Sequence, residues 1–393
     1  MTARRLLSIA TLYPNRHTPR FGTFVARSLE ALAAQAGWEV TVINPVGLPP
    51  LRLGRYRQLA GALADGVEHG VEVHRPSFPI VPGLSGPINP ALISRAILPL
   101  ARRLHAENPF DLVDAQFFYP DGPAAARIAN ALDLPLAIKA RGADISYWGA
   151  RPYARRQMIA AAARANRLLS VSEALARDMA AIGLPHEKIA IHHTGLDRTR
   201  FHPRNREACR AELAERFGVA RDGALLATVG ALIPRKGQTL VIEALADLPD
   251  ARLALIGTGA DQGALGALVH RLGLADRVYF LGALDHDSIP LLLCAADAMV
   301  LPSESEGLAN AWVEALACGC PLVISDAGGA REILRDASAG LIAERDPQAI
   351  AAAVRAVLAA SPSPGAVARN AAQFSWGAHA EKLAEYYEGL LKA

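Results

Sequence analysis

The fold is decided by residues 224–256, which read ALLATVGALIPRKGQTLVIEALADLPDARLALI. Two short apolar runs, Ala224–Val229 and Ala251–Ile256, frame a segment with helical spacing, Gln238–Leu245. Short apolar runs bounded by glycine and proline are typical of buried strands, and a helical segment between them indicates a β-α-β unit. The stretch therefore predicts two parallel strands connected by a helix.

The same alternation continues on both sides of this stretch. Further strands are predicted at Leu6–Leu12, Glu39–Ile43, Leu112–Ala115, Leu136–Lys139, Arg167–Val171, Lys188–His192, Arg277–Leu281, Ala298–Leu301 and Pro321–Ser325. Further helices are predicted at Phe24–Ala36, Pro123–Ala131, Ala154–Ala165, Glu173–Ala181, Arg206–Phe217, Gly263–Leu272, Ser288–Leu293, Ala311–Cys318 and Gly329–Leu334. A repeated β-α pattern favours parallel sheets with helices on both faces.

The chain length indicates two domains, because a single core stops growing at about 250–300 residues and this chain has 393. The strand-helix pattern stops near Gly195 and restarts at Ala224. We therefore predict a first domain at 1–200 and a second at 201–375, each a doubly wound α/β sheet. Ligands of such sheets bind beyond the carboxyl ends of the strands.

Composition excludes several classes of protein. The net charge of +3 is too balanced for a nucleic-acid binder, and no apolar run reaches the ~18 residues of a membrane span. Four cysteines are too few for a disulfide scaffold and suit a reducing cytoplasm. Residues 1–110 hold 12 arginines, no lysine and 6 acidic residues. This excess indicates either a solvated face or a patch for anionic lipid or an anionic acceptor.

The loop after strand 224–229 carries two adjacent cations. Gly230 stands at the strand end, and Arg235 and Lys236 precede the predicted helix. A glycine lets a ligand approach the backbone closely, and a helix N-terminus beside two cations favours an anion. The loop predicts a phosphate or diphosphate site, with ordinary surface charge as the alternative.

A second segment, 301–321, reads LPSESEGLANAWVEALACGCP. Glu306 lies in its loop, and we predict a helix that starts near Leu308 and contains Glu314. The backbone N–H groups of Gly307 and Leu308 would then hold a phosphate. A carboxylate can accept hydrogen bonds from two hydroxyls of a ribose or a sugar. Glu314 in an apolar run would be costly without such partners.

Together these segments resemble the signature of the retaining glycosyltransferases of family 4, which have the GT-B fold. The matching residues are Gly230, Arg235-Lys236-Gly237, Pro302-Ser303, Glu306-Gly307, Glu314-Ala315, Gly319-Cys320-Pro321, Gly328-Gly329 and Glu332. Ser375-Trp376 resembles the family's crossover into a final helix, about 376–393, that packs back on the first domain. The resemblance implies two Rossmann-like parallel-sheet domains facing each other across a cleft.

The resemblance also implies roles for residues of the second domain. Arg235 and Lys236 would bind the donor diphosphate, Glu306 would contact the transferred sugar, and Glu314 would hold the ribose hydroxyls. The donor site would be completed by Gly230, Gly257, Phe280, Gly307 and Leu308. No metal or other cofactor is expected; Asp285-His286-Asp287 has metal-binding spacing, but capping of the following helix is the favoured interpretation.

In the first domain, which would bind the acceptor, Gly22 resembles part of the family's flexible glycine loop. Gln116 and Arg141 stand where many members carry histidine. Arg141 cannot act as a base, but it is able to bind the donor phosphate or an acidic acceptor. A salt bridge with Asp144 is the alternative.

We therefore expect a retaining, metal-independent glycosyltransferase that moves a sugar from a nucleoside-diphosphate sugar to a hydroxyl acceptor. The family implies a glycan or lipid-linked acceptor, cell-envelope or exopolysaccharide synthesis, and a cytoplasmic enzyme with peripheral contact to anionic membrane. The alternatives are a nucleotide-sugar epimerase of the same fold and a non-catalytic GT-B-like nucleotide-binding scaffold.

Overall fold

The computed structural model describes residues 3–19, 21–51, 54–285 and 287–392. The chain divides into two compact units, residues 1–195 with 376–393, and residues 196–375. The boundary lies close to the one expected at 200/201. Gly195 packs against the indole of Trp376, so closely that a Cβ at position 195 would lie 2.2 Å from the ring atom Cε3. The two points where the chain passes between the units are therefore adjacent.

The first unit contains an eight-stranded sheet. The strands of this unit are β1 (Arg4–Ile9), β2 (Trp38–Ile43), β3 (Val46–Leu48), β4 (Gly66–Glu68), β5 (Val71–His74), β6 (Ser77–Pro79), β7 (Leu112–Ala115), β8 (Leu136–Ala140), β9 (Arg167–Ser170) and β10 (Ile189–Ile191). Its helices before residue 195 are α1 (Thr23–Ala33), α2 (Arg55–Ala60), α3 (Asn89–Glu107), α4 (Asp121–Leu132), α5 (Pro152–Arg164) and α6 (Glu173–Ala181). The sheet order is β10-β9-β8-β7-β1-β2-β5-β4, and among its described strand pairs only β4–β5 is antiparallel.

Helix boundaries in this unit follow local chemistry. Ser172 caps α6, because its hydroxyl accepts a hydrogen bond from the N–H of Leu175 at 3.0 Å. The expected helix start at Pro123 is wrong, since α4 begins at Asp121 and Pro123 lies in its first turn. A proline there removes no intrahelical hydrogen bond, so it marks the first turn without fixing the first residue.

The second unit contains a six-stranded sheet. Its strands are β11 (Ala224–Val229), β12 (Ala251–Ile256), β13 (Val278–Gly282), β14 (Ala298–Leu301), β15 (Leu322–Ile324) and β16 (Gly340–Ile342). Its helices are α7 (Arg206–Phe217), α8 (Gln238–Leu245), α9 (Gln262–Arg271), α10 (Ser288–Ala295), α11 (Asn310–Ala317), α12 (Ala330–Ile333), α13 (Pro347–Ala360) and α14 (Pro364–Arg369). The order β13-β12-β11-β14-β15-β16 is entirely parallel.

In chain order within this unit, that sheet reads 3-2-1-4-5-6, the Rossmann arrangement. The order reverses between β11 and β14, and ligands of such sheets bind beyond the carboxyl ends of the strands at this switch point. One face of the sheet is covered by α8, α9 and α13 through a core that includes Val241, Leu253, Leu265 and Val354. This packing fixes the strand ends from which the two candidate loops project.

The last helix, α15 (Trp376–Leu391), belongs to the first unit and packs against α1. It buries Leu383 and Tyr387 in the same core as strands β1 and β2. In the described parts of the chain, no helix combines the length and the apolar character that a membrane span requires.

Candidate functional site

The loops that follow β11 and β14 are held together through their backbones. The N–H of Glu304 donates to the carbonyl of Arg235 at 2.7 Å. Gly237 has a φ of +75°, and a Cβ at this position would lie 2.6 Å from the carbonyl oxygen of Pro302. Only glycine fits such a position without displacing the loop. The loop with the two cations is thus packed on the loop with the glutamates, at the switch point of the sheet.

Arg235, Lys236 and Glu306 form one ion-paired cluster. Lys236 Nζ donates to Glu306 Oε1, and Arg235 Nη1 lies 3.6 Å from Glu306 Oε2. The Lys236 and Glu306 side chains are mostly buried, with 14% and 10% of their surface exposed, whereas Arg235 is 41% exposed. These three residues, for which the resemblance implies contacts with the donor diphosphate and the transferred sugar, therefore lie together.

Gly230 borders this cluster. A Cβ at position 230 would stand 3.8 Å from Cε of Lys236, an ordinary contact distance. On the other side, Gly257 has a φ of +146° and leaves no room for a side chain, because a Cβ there would lie 1.9 Å from the Gly230 carbonyl oxygen. The two glycines thus let the ends of β11 and β12 approach each other directly beside Lys236.

The expected helix start near Leu308 is wrong. Helix α11 begins at Asn310 after Ala309, so Gly307 and Leu308 belong to the preceding loop. The Leu308 side chain is buried, and the Gly307 carbonyl accepts a hydrogen bond from the N–H of Gly329 at 2.8 Å. A phosphate role for the backbone at 307 and 308 stays a prediction, but it cannot rest on a helix N-terminus at those residues.

Gly328 and Gly329 pack against the backbone of the loop that carries Glu306 and Gly307. Gly328 has a φ of +52°, and a Cβ there would lie 2.2 Å from the carbonyl oxygen of Glu306. Gly328 therefore fixes the backbone that carries Glu306.

Glu314 lies inside α11 and is partly buried. Burial raises the pKa of its carboxyl group to about 7. Within the described residues its carboxylate has no hydrogen-bond or ion-pair partner. A carboxylate that is enclosed without donors is able to accept from ligand hydroxyls, as the sequence predicts for this residue.

Phe280 lies in β13, opposite Leu255 of β12. Its side chain is half-buried and packs against the hydrophobic core of the second unit. The ring therefore contributes to the core, and the place of Phe280 in the donor site stays a prediction.

In the first unit, Gly22 precedes α1 with a φ of +73°. A Cβ there would lie 2.5 Å from the carbonyl carbon of Leu12, which follows β1. The glycine loop thus packs directly on the chain that leaves the central strand.

The alternative of an Arg141–Asp144 salt bridge is wrong. The Arg141 guanidinium donates to Gln116 instead, from Nε to the backbone carbonyl at 3.0 Å and from Nη2 to Oε1 at 2.6 Å. Asp144 accepts from the backbone N–H groups of Phe118, Arg141 and Gly142. The two positions that depart from the family's histidine pattern therefore contact each other.

Sequence reasoning missed an acidic group at the start of α4 that contacts the chain after β1. Asp121 accepts hydrogen bonds from the backbone N–H of Thr11 at 3.0 Å and from its hydroxyl at 2.7 Å. Burial raises the pKa of Asp121 to about 7. No local pattern marks it, because its partner is 110 residues earlier in the chain.

The histidine pair 192–193 belongs to a buried network that fastens α15. His192 Nε2 donates to the backbone carbonyl of His379 at 3.0 Å, so its Nδ1 accepts from Lys139 Nζ at 2.8 Å. His379 Nδ1 donates to the His193 carbonyl, and its Nε2 accepts from Ser28. Burial lowers the pKa of both His192 and His379 well below the usual value. The geometry is that of packing rather than of a ligand pair.

Asp285 Oδ1 accepts from the N–H of Ser288, the first residue of α10, at 2.7 Å, whereas Asp287, the N-cap residue, makes no side-chain capping bond. His286 lies outside the described residues. Over the ranges that the structure describes, no group of three or more histidine, cysteine or acidic side chains is placed to share a metal ion.

Two family models match the chain over nearly its whole length. The model for glycosyl transferases group 1 matches residues 210–374, and the model for Glycosyltransferase Family 4 matches residues 22–200. The chain belongs to the family 4 glycosyltransferases. The residues of the ion-paired cluster and Glu314 fall within the first match, and Gly22 and Arg141 within the second.

Relatives of this family 4 glycosyltransferase carry names that refer to different glycan products. The chain is 27% identical over 361 residues to TuaC of Bacillus subtilis, a glycosyltransferase assigned to teichuronic acid biosynthesis. The alignment covers 89% of this chain and 88% of TuaC. The chain is 35% identical over 258 residues to the D-inositol 3-phosphate glycosyltransferase of Geodermatophilus obscurus, covering 61% of this chain. That alignment spans about half the length of the relative, 56%.

Solved structures show that the fold is GT-B. Sucrose-phosphate synthase from Thermosynechococcus elongatus superposes with a TM-score of 0.78 at 21% identity, covering 99% of both chains. HepE of Anabaena, solved in complex with UDP and glucose, superposes with a TM-score of 0.74 at 21% identity, covering 98% of this chain and 99% of HepE. The predicted fold class of this family 4 glycosyltransferase is thereby confirmed.

Proposed function

We propose that this glycosyltransferase moves a sugar from a nucleoside-diphosphate sugar to a hydroxyl acceptor with retention of anomeric configuration. The observation that carries the proposal is the cluster of Arg235, Lys236 and Glu306 at the switch point of a Rossmann-ordered sheet. The binding of UDP and glucose by the structural neighbour HepE supports a nucleotide sugar as donor.

The cluster suits a leaving group that becomes more negative during the reaction. Arg235 and Lys236 would stabilise the departing diphosphate, and in a water-poor site one such donor is worth about 2.7–4 kcal/mol of barrier. Without a ligand, both cations interact with Glu306. An arriving diphosphate takes over these cations, and the freed Glu306 carboxylate accepts hydrogen bonds from hydroxyls of the transferred sugar.

Glu314 would hold the ribose. Its enclosed carboxylate has no donor of its own in the described structure, and two adjacent ribose hydroxyls would supply both. Binding then favours the ionised form of this group, so donor affinity should rise with pH through the range around 7.

The transfer step can proceed on one face of the sugar. The acceptor oxygen forms its bond to the anomeric carbon as the bond from that carbon to the diphosphate breaks. The acceptor proton passes to the departing phosphate oxygen, so atoms and charges balance without a protein base. The configuration at the anomeric carbon is retained, because the acceptor enters from the side that the diphosphate leaves.

We also propose that the reaction needs no metal, since Arg235 and Lys236 supply the positive charge that a divalent cation would otherwise provide. Turnover should therefore be unchanged by EDTA. A loss of turnover that Mg²⁺ or Mn²⁺ restores would overturn this part of the proposal.

The acceptor is proposed to be a glycan or a lipid-linked acceptor of envelope or exopolysaccharide synthesis, a setting that the assignment of TuaC supports, and the enzyme is proposed to be cytoplasmic. A peripheral contact with anionic membrane is proposed from the arginines of residues 1–110. The densest group of these arginines is Arg52, Arg55 and Arg57. Arg52 and the side chain of Arg55 lie outside the described part of the structure, and Arg57 is exposed. Co-sedimentation with anionic liposomes at low salt tests this contact, and absence of binding would reject it.

Calorimetry with UDP, GDP and ADP, followed by assays with matching nucleotide sugars, tests the central proposal. We expect one nucleotide to bind and its sugar to be released slowly to water, with the retained anomer appearing first by NMR. Conversion of the donor sugar without an acceptor would favour the epimerase. Nucleotide binding with neither hydrolysis nor transfer would favour the non-catalytic scaffold.

A further inference from the structure

Three thiols of the second unit lie together where α10 packs against α7 and α11. The four cysteines of the chain all belong to this unit, and each is a buried free thiol. Cys209 is on α7, Cys294 is on α10, and Cys318 is the residue that ends α11. None of these cysteines belongs to the predicted donor site, so their grouping calls for an explanation of its own.

The Cys294 thiol is the centre of this thiol cluster. It hydrogen-bonds with the thiols of Cys209 and Cys318. Its Sγ also lies 3.7 Å from the backbone carbonyl oxygen of Cys318 and 3.4 Å from that of His202. Cys294 therefore contacts both the side chain and the backbone of Cys318, whereas it meets Cys209 through the side chain.

The three thiols differ in their readiness to react. The hydrogen bond with Cys318 and the nearby charge of Arg204 lower the pKa of Cys294. Burial raises the pKa of Cys209, and the hydrogen bond with Cys294 raises that of Cys318. The thiolate is the form that attacks an oxidant or a disulfide, so Cys294 is the thiol that reacts first.

Metal binding does not account for the cluster. Among the described residues, no three histidine, cysteine or acidic side chains are placed to share a metal ion. Two thiols in hydrogen-bond contact, one of which ionises more readily than the other, are instead the arrangement that oxidation converts to a disulfide.

We propose that Cys294 and Cys318 form a reversible disulfide that lowers the affinity of the second unit for its nucleotide. The effect on the nucleotide rests on the proposed function, whereas formation of the disulfide does not. The oxidant is hydrogen peroxide, because thiols that are 4% and 2% exposed admit a small molecule more readily than an oxidising protein.

The chemistry takes two steps. The Cys294 thiolate attacks one oxygen of the peroxide and becomes a sulfenic acid, and hydroxide leaves. The sulfur of Cys318 then attacks the sulfur of Cys294, and a second hydroxide leaves. The protons of the two thiols convert both hydroxides to water. The two sulfur atoms lose two electrons in total, and the peroxide gains them.

The backbone connects Cys318 to the donor site. Its N–H donates to the carbonyl of Glu314 at 3.1 Å, one turn earlier on α11. The next residue, Gly319, is packed so closely that a Cβ there would lie 2.6 Å from Cβ of Pro364. Bringing the sulfur of Cys318 to about 2.05 Å from that of Cys294 therefore displaces the end of α11 rather than the turn alone. Glu314, which we propose to hold the ribose, moves with that end.

Peptide mapping of the full chain tests the disulfide. The reduced protein is treated with hydrogen peroxide, blocked with N-ethylmaleimide under denaturing conditions and cut after glutamate. Three glutamates lie between Cys294 and Cys318, so the two cysteines fall on different peptides. We expect a linked pair two hydrogens lighter than the separate peptides, and its loss with dithiothreitol. Cys320 shares a peptide with Cys318, so the mapping is repeated with Cys320→Ala.

Calorimetry with UDP, GDP and ADP on the same preparations measures the consequence. Oxidation should weaken nucleotide binding at least about fivefold, the lower end of the usual coupling between two sites, and dithiothreitol should restore it. Cys318→Ala should lose this response. Cys320→Ala is the matched control, because Cys320 is buried in the same turn and should leave the response intact.

The inference is overturned if peroxide gives no linked peptide, if Cys209 rather than Cys318 is joined to Cys294, or if oxidation leaves nucleotide affinity unchanged or raises it. Equal responses of Cys318→Ala and Cys320→Ala would overturn it as well. Absence of nucleotide binding by the reduced wild type rejects the proposed function and the effect on affinity, while the linked peptide still decides the disulfide. If Cys318→Ala does not fold, the wild-type map and its reversal by dithiothreitol decide the same question.

Discussion

Replacing Glu314 by glutamine should make the protein more stable and, at the same time, a poorer binder of its donor. Glu314 has no hydrogen-bond donor in the described structure, and burial raises its pKa from 4.5 to about 7. Unfolding releases this group into water, where it loses its proton near pH 4.5. The native state therefore loses stability as the pH rises from about 4.5 to about 7, whereas the glutamine side chain of the variant cannot ionise.

The size of this gain in stability follows from the shift in the pKa of Glu314. A change from 4.5 to about 7 corresponds to at most about 3 kcal/mol. Since the side chain is only partly buried, solvent reduces this value, and we expect about 1–3 kcal/mol of added stability at pH 8. That is a rise in melting temperature of roughly 2–10 °C for a domain of this size. At pH 4 the two proteins should melt alike.

The same Glu314→Gln variant should bind its donor nucleotide more weakly. Hydrogen bonds to a charged acceptor are worth about 1.5–3 kcal/mol, so nucleotide affinity at pH 8 should fall roughly 10- to 100-fold. Thermal melts at both pH values and calorimetry with the nucleotide measure the two effects. Glu304→Gln is the control, because Glu304 is exposed in the same segment and should alter neither. Lower stability of Glu314→Gln at pH 8, or unchanged affinity, would refute the reasoning.

Three further predictions concern the site loops and the last helix. Lys236→Ala should lower turnover at least ~10²-fold with the melting temperature retained, and near-normal turnover would remove Lys236 from its role. Gly328→Ala places a Cβ 2.2 Å from the Glu306 carbonyl oxygen at a φ of +52°, so it should cost about 1–3 kcal/mol in urea unfolding and weaken nucleotide binding. Wild-type affinity and stability in that variant would contradict the packing described. For the network at α15, native His192 and His379 stay neutral, whereas the unfolded state takes up protons below about pH 6.5. Stability should therefore fall below that pH, and His379→Gln should show a shallower fall in urea titrations; an equal slope would reject the role of His379.

Most strands of the fold could be predicted, because buried parallel strands are short apolar runs with glycine or proline beside them. Strands β7, β11, β12 and β14 have the predicted bounds. Helix α3, by contrast, is absent from the predicted helices, because Pro99 lies inside it and an interior proline normally argues against a helix. Tertiary packing of Ile93, Ile97 and Ala101 into the first unit overrides that local signal.

The sequence indicates which residues belong to the site, but not which of them contact each other. Arg235, Lys236 and Glu306 are each identified from the sequence, yet Lys236 and Glu306 are 70 residues apart, and nothing local shows that they pair. The same holds for Arg141, which contacts Gln116, 25 residues earlier, rather than its near neighbour Asp144. Spacing along the chain identifies candidate groups, whereas the partner of each group depends on which strand ends the sheet order brings together.

The contact of Gly195 with Trp376 has a consequence for how this chain can change. The chain leaves the first unit after Gly195 and re-enters it at Trp376, and these two residues are in contact. Residues 196–375 are therefore an insertion within the first unit. Replacing an insertion whose two ends are adjacent disturbs the first unit at one place, whereas replacing a segment whose ends are far apart disturbs it at two. Recombination at these two points would exchange the second unit as a whole and leave the sequence of the first unit intact.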